Sequence, residues 1–491
     1  MKRAISSLFV MVALICGAVS ANCAQAPPGE KAVPLSKVER LNRAPVNKEI
    51  LRVKLPRPRV TKLANGLTVL VLEQHKLPTV AFSLWIKTGA LADPADQPGL
   101  AQATAEMLRE GTAQRTSAQL ATEIDSIGAS LGASADFSSG TSDVNASGLA
   151  ASSDRILDLM SDIVINATFP ADELAKYQKR ELAHLEQQRS QPNFLARERF
   201  YRDLYGDSPA AVVSATPDSM KALTPEKLKE FHDLYYAPNN AILGVAGDIQ
   251  YDQILSLIEK SFGGWQNRAT NSPSLGELPS PAPMRITLVD RPGSVQTNIL
   301  AGDYALRRAD PDYIPLTVMN RLLGGGPSAR LFLNLRENKG YTYGAYSTFT
   351  ADTFPGVWTA NTEVRNAVTD GSMHELMYEF KRIRSEKVPA PELHEAQNSL
   401  IARFAISLEQ PTGLLNSWMT VNYYGLPEDY WDRYPEEVSK VTPEVVQQAA
   451  MKYLDLDHIQ FVCVGDGKQI KEVLKKYGPV EVYNTDGKRV E

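Results

Sequence analysis

Two segments of the chain, 218 residues apart, are built to the same plan. Leu223–Ile249 reads LTPEKLKEFHDLYYAPNNAILGVAGDI, and Val441–Gly467 reads VTPEVVQQAAMKYLDLDHIQFVCVGDG. Each opens on Thr-Pro-Glu, with Thr as helix N-cap and Pro in the first turn, where its missing N–H costs nothing. Each helix ends near a Tyr, a short polar turn follows, and a strand closes in Gly-Asp. Thr224 matches Thr442 and Gly247 matches Gly465. Upstream, VLVLE ending at Glu73 matches ITLVD ending at Asp290, so the offset holds at 217–218 residues. A fixed period of this kind marks a duplicated unit. With 491 residues the chain exceeds what one core usually holds, so two homologous α+β half-domains are expected.

Local patterns fill in each unit. Asn65-Gly66 lies between two β-rich runs and signals a hairpin. Apolar periodicity predicts helices over 98–110, 115–129, 153–167, 171–190, 194–206 and 224–236, and strands near 130–137, 141–150 and 241–247. Strands and helices are mixed rather than strictly alternating, which argues against a doubly wound parallel sheet. The stretch GWQNRATNSPSLGELPSPAP carries four prolines among Ser and Asn and reads as an exposed linker. The expected division is a signal peptide (1–21), an extended arm (22–54), a first domain (55–263), the linker (264–283), a second domain (284–480) and a tail (481–491).

The N-terminus explains the first boundary. Lys2 and Arg3 precede a short apolar core, Leu8–Ile15, and Val19-Ser20-Ala21 offers small residues for cleavage. That is the pattern of a secretory signal peptide, too short to span a bilayer, and it implies export, to the periplasm in a bacterium. Cys23 permits a lipoprotein alternative, although Asn22 fits a lipid-attachment box poorly. No later segment reaches the roughly 20 apolar residues of a membrane span. The three cysteines are Cys16, Cys23 and Cys463, the last in a strand pattern, so no intramolecular disulfide framework is expected. A net charge of −5 gives no basic surface for a nucleic acid.

Four pieces together resemble the pitrilysin/insulinase family of zinc peptidases, in its processing-peptidase branch: KLANGLTVLVLE, TGALADPADQPGLAQATAEMLREGT, YAPNNAILGVAGDI and RLLGGGPSARLFLNLRENKGYTYGAYS. The resemblance implies a mixed, mostly antiparallel sheet in each half and a chain that forms half of a clam-shell peptidase chamber. It also implies a metal-binding helix over Gly99–Met107 bearing His-x-x-Glu-His. There two histidines hold zinc, the Glu activates water, and a later helix adds a third ligand. Here the first His position is Gln102, the Glu position is Ala105 and the second His position is Glu106. The third ligand falls at Ala183 or His184. Gln is a poor zinc ligand and Ala cannot act as a base. The six histidines (His75, His184, His232, His374, His394 and His458) include no two within one or two helical turns. Gln102, Glu106 and His184 could hold a cation weakly, but the plainer reading is that they face a polar cleft or pair with neighbours. No metal or other cofactor is expected in this chain.

The second half keeps what the first has lost. Leu331, Phe332 and Leu335 give a short helix an apolar face, Gly340 ends it, and YTYGAYSTF alternates as a strand with Tyr341 and Tyr343 on one face. The resemblance implies that Arg336 and, seven residues later, Tyr343 contact a substrate held by the zinc-bearing domain. A fixed guanidinium and a phenol suit the charge that develops on a scissile carbonyl oxygen. Structurally, Arg336 could instead cap its own helix and Tyr343 pack in the sheet. Gly324-Gly325-Gly326 lacks the Lys-Ser/Thr of a phosphate loop, and the resemblance makes it a flexible loop at the mouth of the substrate cavity. The implied function is a subunit without zinc in an exported heterodimeric metallopeptidase. Arg336 and Tyr343 would then complete the site of a zinc-bearing homologous partner acting on peptides or unfolded segments. The alternative is a non-enzymatic peptide-binding or assembly protein on the same fold; a third reading, peptidase activity through another metal site, has the histidine census against it.

Overall fold

In a computed structural model the described residues are 52–490, apart from 138, 271–274 and 276. The expected signal peptide, Cys23, nearly all of the arm and part of the linker lie outside them. The first half runs β1 (Arg59–Lys62), β2 (Thr68–Glu73), β3 (Thr79–Ile86), α1 (Leu100–Met107), α2 (Ser117–Ser126), β4 (Ser130–Ser134), β5 (Ser142–Leu149), α3 (Ser153–Ile165), α4 (Ala171–Arg189), α5 (Pro192–Tyr205), α6 (Pro217–Lys221), α7 (Pro225–Tyr235), β6 (Ala241–Gly247) and α8 (Tyr251–Phe262). The second half runs β7 (Arg285–Asp290), β8 (Gln296–Tyr304) and α9 (Tyr313–Leu323). A single α-turn, Arg330–Phe332, then leads into a π-helix, Leu333–Asn338. There follow β9 (Thr342–Phe349), β10 (Val357–Arg365), α10 (Thr369–Ser385), α11 (Ala390–Ser407), α12 (Pro411–Tyr424), α13 (Tyr430–Lys440), α14 (Pro443–Tyr453), β11 (Gln460–Gly465), α15 (Gly467–Leu474) and β12 (Val480–Tyr483).

The duplication is visible strand for strand. The sheets have the orders β1-β2-β6-β3-β5-β4 and β12-β7-β11-β8-β10-β9. In both, the strand that ends in Gly-Asp, β6 or β11, lies parallel to β2 or β7 and antiparallel to the next, β3 or β8. The outer edges differ. β1 arrives before its neighbour and pairs antiparallel, through a turn in which Gly66 takes φ +95°, whereas β12 arrives last and pairs parallel with β7. The segment beyond residue 480 therefore begins as an edge strand.

Each sheet is covered on one face by a helix from the other half. α5, from the first half, lies on β8 and β11 of the second sheet. Its Leu195, Phe200 and Leu204 are buried with Val289, Leu300, Val462 and Val464. Polar bolts fix it: Thr287 Oγ1 donates to Asp203 Oδ2 at 2.8 Å, and Tyr304 Oη donates to the Leu204 carbonyl at 2.6 Å. α12, from the second half, lies on β6 and β2, where Leu415, Trp418 and Met419 pack with Leu70, Leu72 and Ile242. Both crossings need a glycine beneath the helix. A Cβ on Gly302 would stand 2.7 Å from the Phe200 ring, and one on Gly244 would stand 2.7 Å from Met419 Sδ. Strands β6 and β11 are consequently buried on both faces, which their uninterrupted apolar sequences allow.

The helix α1 starts on a half-buried carboxylate. Asp93 accepts from the Gly99 N–H at 2.7 Å and from the Ala101 N–H at 2.8 Å, satisfying two of the donors a helix start leaves open. Burial pushes the Asp93 carboxyl up to about 7 against the pull of those bonds. Asp143 and Asp303 are also pushed up by burial, each to about 6.

Two outcomes follow from this packing. Phe200→Ala, a change in the first half, should cost about 3–5 kcal/mol. It should also speed hydrogen exchange in β8 and β11 of the second sheet more than in β2 and β3 of the first, as read by mass spectrometry. The second concerns pH. A carboxyl raised in the folded state stabilises most below its unfolded pKa of about 4, and this contribution fades as pH rises through the folded value. The thermal midpoint should therefore fall between pH 5 and 8. Asp93→Asn, which keeps only one of the two acceptors, should lower the midpoint at pH 5 but make that fall shallower.

Candidate functional site

α1 is almost entirely enclosed. Leu100, Ala101, Ala103, Thr104, Ala105 and Met107 are buried, which leaves Gln102 and Glu106, four residues apart, on its open face. One helical turn places them in contact, and Gln102 Nε2 donates to Glu106 Oε1 at 3.0 Å. Ala105 is 0% exposed and offers only a methyl group. Burial pushes the Glu106 carboxyl up; the bond from Gln102 opposes this, and the charge of Glu181 adds to it.

The facing residues come from α4. Leu174, Tyr177 and Leu185 form its buried stripe, and Glu181 shares it, four residues after Tyr177. Of the two residues expected at the third-ligand position, Ala183 is exposed, and His184, also exposed, lines the cleft with its Nδ1 3.4 Å from Glu181 Oε2. The 3.6-residue stripe was present in the sequence and would have added Glu181 to the facing residues. The Tyr177 hydroxyl is buried with no hydrogen-bond partner. Burial, with the charges of Glu106 and Glu181 nearby, drives its pKa well above that of a free phenol.

Gln102, Glu181 and His184 line a cleft of about 590 Å³ between the halves. Its walls include Asp136 and Phe137 from the first half, Tyr201 from α5, and Asp352 and Phe354 from the second half. The donors there are a carboxamide already spent on Glu106, carboxylates that repel each other and a single imidazole, His184. Among the described residues no group of three or more His, Cys, Asp or Glu could hold a metal ion. The site does not fit zinc, whose protein ligands are mainly Cys and His.

Arg336, Tyr343 and the triple glycine do not line this cleft. Arg336 lies in the π-helix, where the Lys339 N–H reaches back to the Asn334 carbonyl at 3.0 Å. Its guanidinium stands 5.0 Å from the centre of the Phe332 ring and pairs with Glu337. Tyr343 is 94% exposed. Simple alternation places it with Tyr341, but the pairing of β9 with β10 shifts by one residue there, so that Tyr343 and Gly344 together oppose Glu363. The bulge is pinned by Thr342 and Thr362, whose hydroxyls donate to the Gly344 carbonyl at 2.9 and 3.0 Å. Such bulges re-aim side chains. Tyr341 turns inward against Gly371, and Tyr343 turns out. The triple glycine, expected as a flexible loop, is packed. Gly324 accepts from the Ser347 N–H at 2.9 Å, and a Cβ on any of the three would stand within 3 Å of Ser347 or Arg321. These glycines serve close approach, and none has positive φ.

The fold has counterparts among known proteins. The sequence model of the insulinase family (peptidase family M16) matches residues 68–218, and that of the peptidase M16 inactive domain matches residues 222–400. An uncharacterized zinc protease of Rickettsia felis is 27% identical over 356 residues, 72% of this chain and 84% of that one. The crystal structure of a peptidase M16 inactive domain from Pseudomonas fluorescens superposes with a TM-score of 0.78 at 27% identity, covering 83% of this chain and 98% of that one. A protease from Helicobacter pylori shares the fold, with a TM-score of 0.77 at 18% identity over 84% of this chain and 100% of that one. The duplicated α+β halves and the two family matches lead to one conclusion: this chain belongs to the insulinase family, peptidase family M16.

Proposed function

We propose that this chain is the subunit without zinc of an exported, periplasmic heterodimeric peptidase, and that it lends Arg336 and Tyr343 to the active site of a zinc-bearing homologous partner. The observation that carries the reading is the opposition between the two halves. The first half has closed its own site, with Gln102 bonded to Glu106 and a methyl group at Ala105. The second half turns a tyrosine almost wholly into solvent on a pinned bulge, and seven residues earlier carries an arginine on an irregular helical turn. An exposed phenol held by backbone irregularity brings this chain no packing benefit, and irregularities of this kind concentrate at functional sites.

In this reading a peptide lies extended between the subunits, and the partner supplies the metal that activates water. Tyr343 Oη donates a hydrogen bond to the scissile carbonyl oxygen, and the Arg336 guanidinium lies beside it, both set before the charge develops. Preorganised donors act because they need no reorientation in the transition state. Arg336 suits the task because it stays charged at any working pH and is rigid as a fork.

The test is reconstitution with an M16 chain from the same genome that carries an intact His-x-x-Glu-His. This chain alone should contain no stoichiometric zinc and cleave no unfolded peptide, and the mixture should be active. Arg336→Ala or Tyr343→Phe should lower kcat in the mixture by about 10²–10³ with little change in assembly. Wild-type rates from both variants would refute the assisting role. Chelator-sensitive cleavage by this chain alone would refute the loss of its own site.

A further inference from the structure

The segment that carries Arg336 is gripped from behind by a pair of carboxylates on α10, and the same pair occurs in the first half. Asp158-Leu-Met-Ser-Asp162 on α3 and Glu375-Leu-Met-Tyr-Glu379 on α10 stand 217 residues apart, the offset of the duplication itself. In both halves the second carboxylate is buried: Asp162 is 4% exposed and Glu379 is 2% exposed. In both, the two acids close on a donor from the segment that follows the first long helix.

The donors differ. In the first half Arg115 does the work, with Nη1 on Asp162 and Nη2 on Asp158, each at 2.7 Å, and Nε on Glu123 at 3.1 Å. In the second half a single carboxamide takes that place. Asn334 Nδ2 donates to Glu375 Oε2 and to Glu379 Oε1, both at 2.9 Å. Lys339, at the end of the same segment, reaches Glu375 at 2.8 Å, and Arg382 holds the other side of Glu379 at 3.3 Å. At the start of the segment, Arg330 meets Glu392 through two bonds of 2.6 and 3.0 Å. Arg336 lies between these anchors, two residues after Asn334, on the irregular turn they enclose.

The substitution of a carboxamide for a guanidinium matters mechanically. Arg115 reaches its acids from a loop on a long side chain. Asn334 is short and lies within the π-helix, so its two bonds fix the backbone of that turn against α10. A helix that must widen to i→i+5 bonding is an unfavoured local state and persists where surrounding contacts hold it.

We infer that Asn334, clamped between Glu375 and Glu379, is a positioning residue that sets the π-turn and through it the reach of Arg336. This rests on the proposed role of Arg336, and the test separates the two. Asn334→Ala should speed hydrogen exchange across residues 333–343, as few contacts then restrain the turn, while residues 153–165, which bear the sister clamp, exchange as in the wild type. In the mixture with the zinc-bearing chain it should lower kcat by roughly 10–100-fold, the size of a small misplacement, and leave KM nearly unchanged. The double variant Asn334→Ala/Arg336→Ala should be no slower than Arg336→Ala alone. Asn334→Ser stands in if the Ala variant does not fold, with the same direction and smaller size. Unchanged exchange at 333–343, or losses that multiply in the double variant, would overturn the positioning role. If Arg336→Ala costs nothing in the mixture, the assisting role falls, and the exchange result alone decides the clamp.

Discussion

The exchange of α5 and α12 between the halves is the constraint on which the rest of the structure depends. A duplicated unit with an amphipathic sheet has one face left over, and two units can bury both spare faces if each supplies the cover for the other. Phe200 over Gly302 and Met419 over Gly244 are the contacts where this closes most tightly. The cost is that neither half is complete alone. The gain is a fixed relation between two sites over 200 residues apart in sequence, since a shift of one sheet drags the helix anchored on the other. The acidic and aromatic cleft between the halves is a by-product of that geometry, with Asp136 on one wall and Asp352 on the other.

On this common frame the halves have diverged in opposite directions. In the first, α1 retains its burial pattern and its start on Asp93, but its open face has turned inward chemically, with Gln102 and Glu106 satisfying each other. The second half carries an irregular turn at 333–338, a bulged strand and a tyrosine turned out to solvent. The clamps on α3 and α10 show the same history at smaller scale. The carboxylates recur at the 217-residue offset, while the donor is Arg115 in one half and Asn334 in the other. Scaffold positions were held by packing, which tolerates few changes, and the groups facing solvent were free to change.

Much of the fold was legible in the sequence because periodicity and caps are local. Thr224 and Thr442 cap their helices as expected, and the helices expected over 153–167 and 171–190 form as Ser153–Ile165 and Ala171–Arg189. The helix exchange was not legible. α5 and α12 read as ordinary amphipathic helices, and nothing local states which sheet a helix will cover. The bulge at Tyr343 was hidden for a related reason: alternation assumes an unbroken ladder, and the break depends on Thr342 and Thr362 meeting across two strands. Glu181, beside His184 in the cleft, was missed although its signal was local, since it continues the Leu174–Tyr177–Leu185 stripe. The pair Asp158/Asp162 and its repeat Glu375/Glu379 were also readable from the offset alone.

The central claim is that one half of this chain serves a site it does not contain. The most direct measurement places a photoreactive aromatic residue at position 343, mixes the chain with its zinc-bearing homologue and a slowly cleaved peptide, and maps the adducts after irradiation. The account predicts adducts on the peptide near its scissile bond or on the partner's histidine-bearing helix. Adducts confined to this chain's own α1 and α4, around Gln102 and Glu181, would contradict it.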